Sequence, residues 1–118
     1  MQAASKRNRR VADLIHREVA SLLKTSINDP RLTQMVITSV DLSPDLSNAR
    51  IYYILPDKVN KQDVVAALKK AVGFIRHELS NRTELRYTPQ ISFRYDDSIA
   101  HAQRILSLIN KIETDTDD

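Results

Sequence analysis

Six residues able to act together crowd residues 69–86: Lys69, Lys70, Gly73, Arg76, Arg82 and Arg86. Lysine and arginine neutralise phosphates and release condensed counterions, and a kink at the glycine would expose backbone amides that can hydrogen-bond to a nucleic-acid strand. That chemistry suits a polyanion, RNA or DNA. Gly73 is the only glycine in the chain, where average composition would give about eight. It interrupts a helical pattern at a cost of about 1 kcal/mol relative to alanine. Two explanations stay open: close packing or a tolerated weak position, and a kink at which the backbone meets a ligand. Aromatic side chains available for base stacking are few, namely Tyr52, Tyr53, Tyr87 and Tyr95, with Phe74 and Phe93 expected in the core. Recognition should therefore rest on shape and charge more than on stacking.

Catalytic chemistry is argued against by absence. One glycine cannot build a phosphate-cradling loop or a nucleophile elbow. The lack of cysteine removes disulfides, thiolate metal sites and cysteine nucleophiles together. His16, His77 and His101 are isolated, none at the spacing of four that puts two metal ligands on one helical face. Asp96 and Asp97 are adjacent carboxylates, but at a strand-to-helix junction they read as a helix cap and dipole partner rather than an acid and base pair. The expectation is a protein that is not an enzyme and needs no cofactor or metal.

The elements that must position these residues follow from periodicity. Val11, Leu14, Ile15, Val19, Leu22 and Leu23 recur at three- and four-residue spacing and predict an amphipathic helix, with Ser5 as its cap. Arg10, Arg17 and Lys24 recur every seven residues on its polar face, and Lys6 and Arg7 lie near its start. Asn28, Asp29 and Pro30 end the pattern and predict a loop. From Met35 the chain alternates, placing Val36, Thr38, Val40 and Leu42 on one face; after Ser43, Pro44 and Asp45, Ala49, Ile51, Tyr53 and Leu55 do the same. These are two antiparallel strands. Val64, Val65, Leu68, Ala71, Val72, Ile75 and Leu79 predict a long helical segment kinked at Gly73. Ile91, Phe93 and Tyr95 mark a third strand, and Ile99, Ile105, Leu106, Ile109 and Ile112 a closing helix. A helical crossover makes the second and third strands parallel. The class is α+β, with a mixed three-stranded sheet and helices on one face.

Charge is unevenly distributed, although the formal net charge is only +3. Residues 1–25 carry six Lys/Arg against two acids and residues 61–95 seven against three, whereas residues 96–118 carry two against six. The two basic blocks either converge into one polyanion-binding face or remain two solvated helix surfaces. At 118 residues, with 42% apolar and 28% charged residues, the chain fits one globular domain. No apolar run approaches the roughly 20 residues needed to span a bilayer, and residues 1–10 lack the apolar stretch of a secretory signal. A cytoplasmic protein without membrane contact is expected.

The helix-strand-strand-helix-kink-helix-strand order resembles a type II KH domain. Arg9, Arg10, Val11 and Ala12 with Ile15, Arg17 and Glu18 look like the first helix of the ribosome-binding factor A family, as do Asp29, Pro30 and Arg31 after it. Ser39 to Ser43 with Asp45, Leu46 and Ala49 is similar to that family's hairpin, and Ala71, Val72, Gly73 resembles its interhelical Ala-x-Gly kink. Leu85, Arg86, Pro89, Ile91, Phe93 and Asp97 continue the resemblance, which covers about residues 7–112. It departs from the wider KH pattern, whose nucleotide-clamping loop reads G-x-x-G, because only Gly73 is present. The resemblance implies a non-catalytic, monomeric RNA-binding assembly factor. Its partner would be the immature 30S subunit with its 16S rRNA, and its role late rRNA processing and maturation, including in the cold. It also implies RNA contacts at Lys6, Arg7, Arg9, Arg10 and Arg17, at Arg31, and at Lys69, Lys70, Ala71, Val72, Gly73, Arg76, Arg82 and Arg86. Residues 1–112 would form the KH-like domain and residues 113–118 an acidic, disordered tail.

Overall fold

Val11, Ile15, Val19, Leu22 and Leu23 share one side of a helix, and burial of that side, between 0% and 9% exposed, holds helix α1 (Lys6–Thr25) on the core. The computed structural model describes residues 6–98 together with 102, 106, 109 and 110. The expected Ser5 cap, His101, Ile99, Ile105, Ile112 and the acidic tail lie outside the described residues. Two backbone amides, Ser26 and Ile27, both donate to the Leu22 carbonyl at 3.0 Å and close the C-terminus of α1.

The loop expected after Asn28 is instead a one-turn helix, α2 (Pro30–Thr33). Asp29 caps it, accepting from the Arg31 amide at 3.0 Å, while Pro30 occupies a first-turn position where no amide is needed. Proline thus ends one helix and begins another, and Leu32 is driven into the core at 1% exposure.

Strands β1 (Val36–Leu42) and β2 (Asn48–Ile54) pair antiparallel, and β3 (Gln90–Tyr95) pairs parallel to β2, giving the order β1-β2-β3. This is the mixed sheet that the crossover required. Central β2 buries Ala49, Ile51 and Tyr53 and exposes Asn48 and Arg50, the alternation of a sheet covered on one side. The predicted single face of β1 is corrected by a bulge: Ile37 pairs Tyr53 while Ser39 pairs Tyr52, so Thr38 is the extra residue. Leu42 and Val40 point inward as expected, but before the bulge the parity reverses, burying Ile37 and leaving Val36 55% exposed.

Helix α3 (Lys61–Arg82) crosses over between β2 and β3. Asn60 caps it, its Oδ1 accepting from the amides of Gln62 at 2.8 Å and Asp63 at 3.2 Å. Thr83 closes it, its amide donating to the Leu79 carbonyl. The split into two helices expected at Gly73 does not occur: α3 is continuous through that position for 22 residues, and Gly73 has no positive φ. Val64, Ala67, Leu68, Ile75 and Leu79 bury a continuous side of the helix, and this packing offsets the weak propensity at one glycine. Phe74, expected in the core, lies 42% exposed, because it sits outside that side. Beyond β3, Ser98, Ala102, Leu106, Ile109 and Asn110 are helical, as the closing helix requires, with Leu106 and Ile109 exposed.

Candidate nucleic-acid interface

Basic side chains on α1 are aimed by its buried side. Lys6, Arg10, Arg17 and Lys24 lie opposite Val11, Ile15, Val19 and Leu22 and are exposed. Arg7 and Arg9, also exposed, flank the stripe. Asn8 between them is buried at 8%, and its Nδ2 donates to the Ser43 carbonyl at 3.1 Å and, more distantly, to Leu42 at 3.5 Å. This contact ties the first turn of α1 to the β1–β2 turn and sets the rotation of the basic residues around it.

On α3, Lys69 and Lys70 are exposed one turn before an exposed Gly73. A methyl group added at Gly73 would meet no atom of the described residues within 4 Å. The close-packing explanation for this glycine is therefore removed, and no break in the helix accompanies it. What remains is bare helical backbone one turn from two lysines, facing open space. Ala71 and Val72 are half-buried, Ala71 against the core and Val72 along a groove of about 210 Å³ between α3 and the edge strand β3. Val65, Leu68, Val72, Ile91 and Phe93 give this groove an apolar floor, and Lys69 stands at it.

The remaining basic residues are largely held by the protein itself. Arg76 is half-buried and donates from Nε to the Pro89 carbonyl at 3.1 Å and from Nη2 to Thr88 at 3.3 Å, anchoring the segment that leads into β3. Arg82 pairs with Glu78 at 3.4 Å and donates to Ser26 Oγ at 3.0 Å, joining α3 to the end of α1. Arg31 grips Asp29 through Nε at 3.0 Å and Nη2 at 2.8 Å, which holds the Asp29 carboxyl below its ordinary range. The charge of Lys70 acts weakly in the same direction on Asp29. Arg86 lies over the ring of Tyr87, 5.5 Å from its centroid.

The structure thus divides the sequence-predicted site into groups. Lys6, Arg10 and Arg17 form one stripe; Lys69, Lys70 and Gly73 form a second; Arg7 and Arg86 line a separate cleft. Arg31, Arg76 and Arg82 have protein partners. Because α1 and α3 pack on the same side of the sheet, the first two groups share the outer surface of the helical layer.

Among the aromatics, Tyr53 is buried at 3% and meets Tyr95 edge-on, with centroids 5.9 Å apart; Lys61 Nζ sits 3.8 Å above the Tyr95 ring. Tyr53 is therefore closed to a base and Tyr95 is half-buried, whereas Tyr87 is 77% exposed. The Asp96 carboxylate accepts from the Ser98 amide at 2.9 Å and from Thr38 Oγ1 at 2.6 Å, contacts that lower its pKa. It is a capping residue that also clasps the β1 bulge, in keeping with the cap expected at this junction. Among the described residues, no three His, Asp or Glu side chains gather as a metal site, and no helix is long and apolar enough to cross a membrane.

Sequence reasoning missed the groove, the cleft and Asn8. Asn8 alone carried a signal, a polar residue in register with Val11 and Ile15 on the apolar face.

Residues 7–109 match the family model described as ribosome-binding factor A. The chain is 47% identical over 107 residues to the ribosome-binding factor A of Coxiella burnetii, covering 91% of this chain and 90% of the relative. It is 37% identical over 111 residues to that of Desulfitobacterium hafniense, covering 93% and 89%. Its fold is similar to the crystal structure of ribosome-binding factor A from Thermus thermophilus, with TM-score 0.68 and 23% identity over 75% of this chain and 93% of that one. A homology model of the Thermus thermophilus factor, fitted into a cryo-EM map of its complex with 30S, aligns with TM-score 0.61 at 23% identity over 73% and 91%. The family model matched over residues 7–109, and 37–47% identity over some nine-tenths of the chain, with a similar fold, establish that this chain belongs to the ribosome-binding factor A family.

Proposed function

We propose that this protein is a non-catalytic, cytoplasmic assembly factor that binds the immature 30S subunit through its 16S rRNA and promotes late rRNA processing and subunit maturation, including in the cold. The observation that carries the reading is Gly73, exposed one turn from Lys69 and Lys70 on an unbroken helix with nothing packed against it. Bare helical backbone flanked by cations is built for close approach by a phosphate backbone. The groove beside it adds an apolar floor for bases and the open edge of β3, an arrangement in the manner of a KH-like fold. Family relatives carry the name of ribosome-binding factors, and one is described in complex with 30S. Lys6, Arg9, Arg10 and Arg17 extend the contact along α1. Arg31, Arg76 and Arg82 support the surface rather than meet phosphates, given their protein partners.

The test is sedimentation of the protein with isolated small subunits, large subunits and intact ribosomes across roughly 50 to 300 mM salt. Salt-sensitive association with small subunits alone is expected. Equal binding to every particle, or to none, overturns the reading.

A further inference from the structure

A cleft of about 510 Å³ lies between the first turns of α1, the β1–β2 turn and the segment joining α3 to β3. Its volume falls in the range of roughly 300–1,000 Å³ usual for small-ligand sites. Arg7, Leu46, Arg86, Tyr87 and Pro89 contribute to its lining, together with Asp45. We propose that this cleft holds one unpaired RNA nucleotide, the base stacked on Tyr87 and the phosphate drawn to Arg7 and Arg86. The proposal rests on the RNA-binding reading above but places a contact away from the α3–β3 groove.

Three observations support it. Tyr87 is the most exposed large apolar side chain among those described, at 77%, and it lines the cleft. Arg86 lies over the ring, 5.5 Å from its centroid, so a cation and an exposed aromatic ring stand together at the cleft, the pairing that base stacking beside a phosphate uses. The walls are held independently of any ligand. Asn8 ties α1 to the Ser43 carbonyl, and Arg76 grips the Thr88 and Pro89 carbonyls from behind. Asp45 accepts from Ser43 Oγ at 2.7 Å and from Ser47 N and Oγ at 3.1 and 2.7 Å, while Leu46 holds a left-handed φ of 62°. The same Asp45 decides against a plain polyanion site. Its contacts with Ser47 and Ser43 bring its pKa down to about 2, so a carboxylate faces the cleft and repels a second phosphate. A nucleotide, with one phosphate and a flat base bearing donors, fits that mixed lining.

The chain contains no tryptophan, so a Tyr87→Trp variant carries a single indole reporter. Its fluorescence is followed on titration with an eight-nucleotide single-stranded RNA and, separately, with heparin, which offers charge without bases. Affinity of the unaltered protein and of Tyr87→Ala for the same labelled RNA is measured by anisotropy. Quenching by RNA and not by heparin is expected, with Tyr87→Ala weakening RNA binding roughly 5- to 100-fold at unchanged melting temperature and salt slope. If the unaltered protein binds RNA but the indole stays unquenched and Tyr87→Ala binds equally well, the cleft proposal is overturned and the RNA reading stands. Equal quenching by heparin reduces the cleft to a charge site and also overturns it. If the unaltered protein binds no RNA at low salt, both readings fall.

Discussion

Gly73 lies exposed on an unbroken helix, and a methyl group placed on it meets nothing within 4 Å among the described residues. Gly73→Ala should therefore stabilise the isolated protein by about 1 kcal/mol, raising its melting temperature by about 4 °C, while weakening association with small subunits. Calorimetry and sedimentation on the same variant check the two halves, and a loss of stability would contradict the open surroundings. In the sequence this glycine stands out but does not explain itself, since close packing, a tolerated weak position and a kink all account for it; the structure removes close packing and shows no break in the helix. The exposure of Lys69, Lys70 and the α1 arginines was legible because charged residues opposite an apolar stripe must face water. The roles of Arg31, Arg76 and Arg82 were not fully legible. Arg82 meets Ser26, 56 positions away, and Arg76 meets carbonyls 12 and 13 positions on, partners that only the packed chain supplies.

At the level of elements, the β1–β2 turn shows how a local motif is fixed. Ser43, Asp45 and Ser47 bond one another, so the Asp45 carboxyl titrates at about 2 rather than 3.8, with Ser47 and then Ser43 as its chief causes. A folded-state pKa below the unfolded value stabilises the fold above about pH 4 and loses that contribution as pH falls towards 2, because the unfolded chain takes up the proton first. The melting-temperature gap between the wild type and Asp45→Asn should then be present at pH 6 and close between about pH 4 and 2. A gap independent of pH would show that the charge adds nothing to the turn. Strand positions were legible from alternation, but the Thr38 bulge was not. Thr38 is as compatible with an even strand as with a bulge, and its hydroxyl partner, Asp96, lies 58 residues away. Helix α2 was hidden because four residues give no periodicity, even though Asp29 and Pro30 are its cap and first turn.

Over the whole molecule, the two basic blocks meet only in part. Both pack their helices on one face of the sheet, so the α1 stripe and the Lys69–Lys70 pair share an outer layer, while Arg7 and Arg86 line a cleft of their own. The double variant K69E/K70E should lower affinity for small subunits and flatten the plot of log K against log salt by roughly 1.5 to 2, with thermal unfolding unchanged within about 0.5 kcal/mol. An unchanged slope would mean that these lysines meet no phosphates. What the sequence alone determined was the class of the fold, the parallel pairing of β2 with β3, the outward face of α1 and the family resemblance. Those depend on local period, on the length of a crossover and on motifs that a linear chain displays. Tertiary structure alone decided that α3 continues unbroken through Gly73, that Tyr53 is lost to the core while Tyr87 stands open, and that Arg76 braces a loop. Each depends on which distant groups share a small volume, and packing settles that for the chain as a whole rather than for any stretch of it.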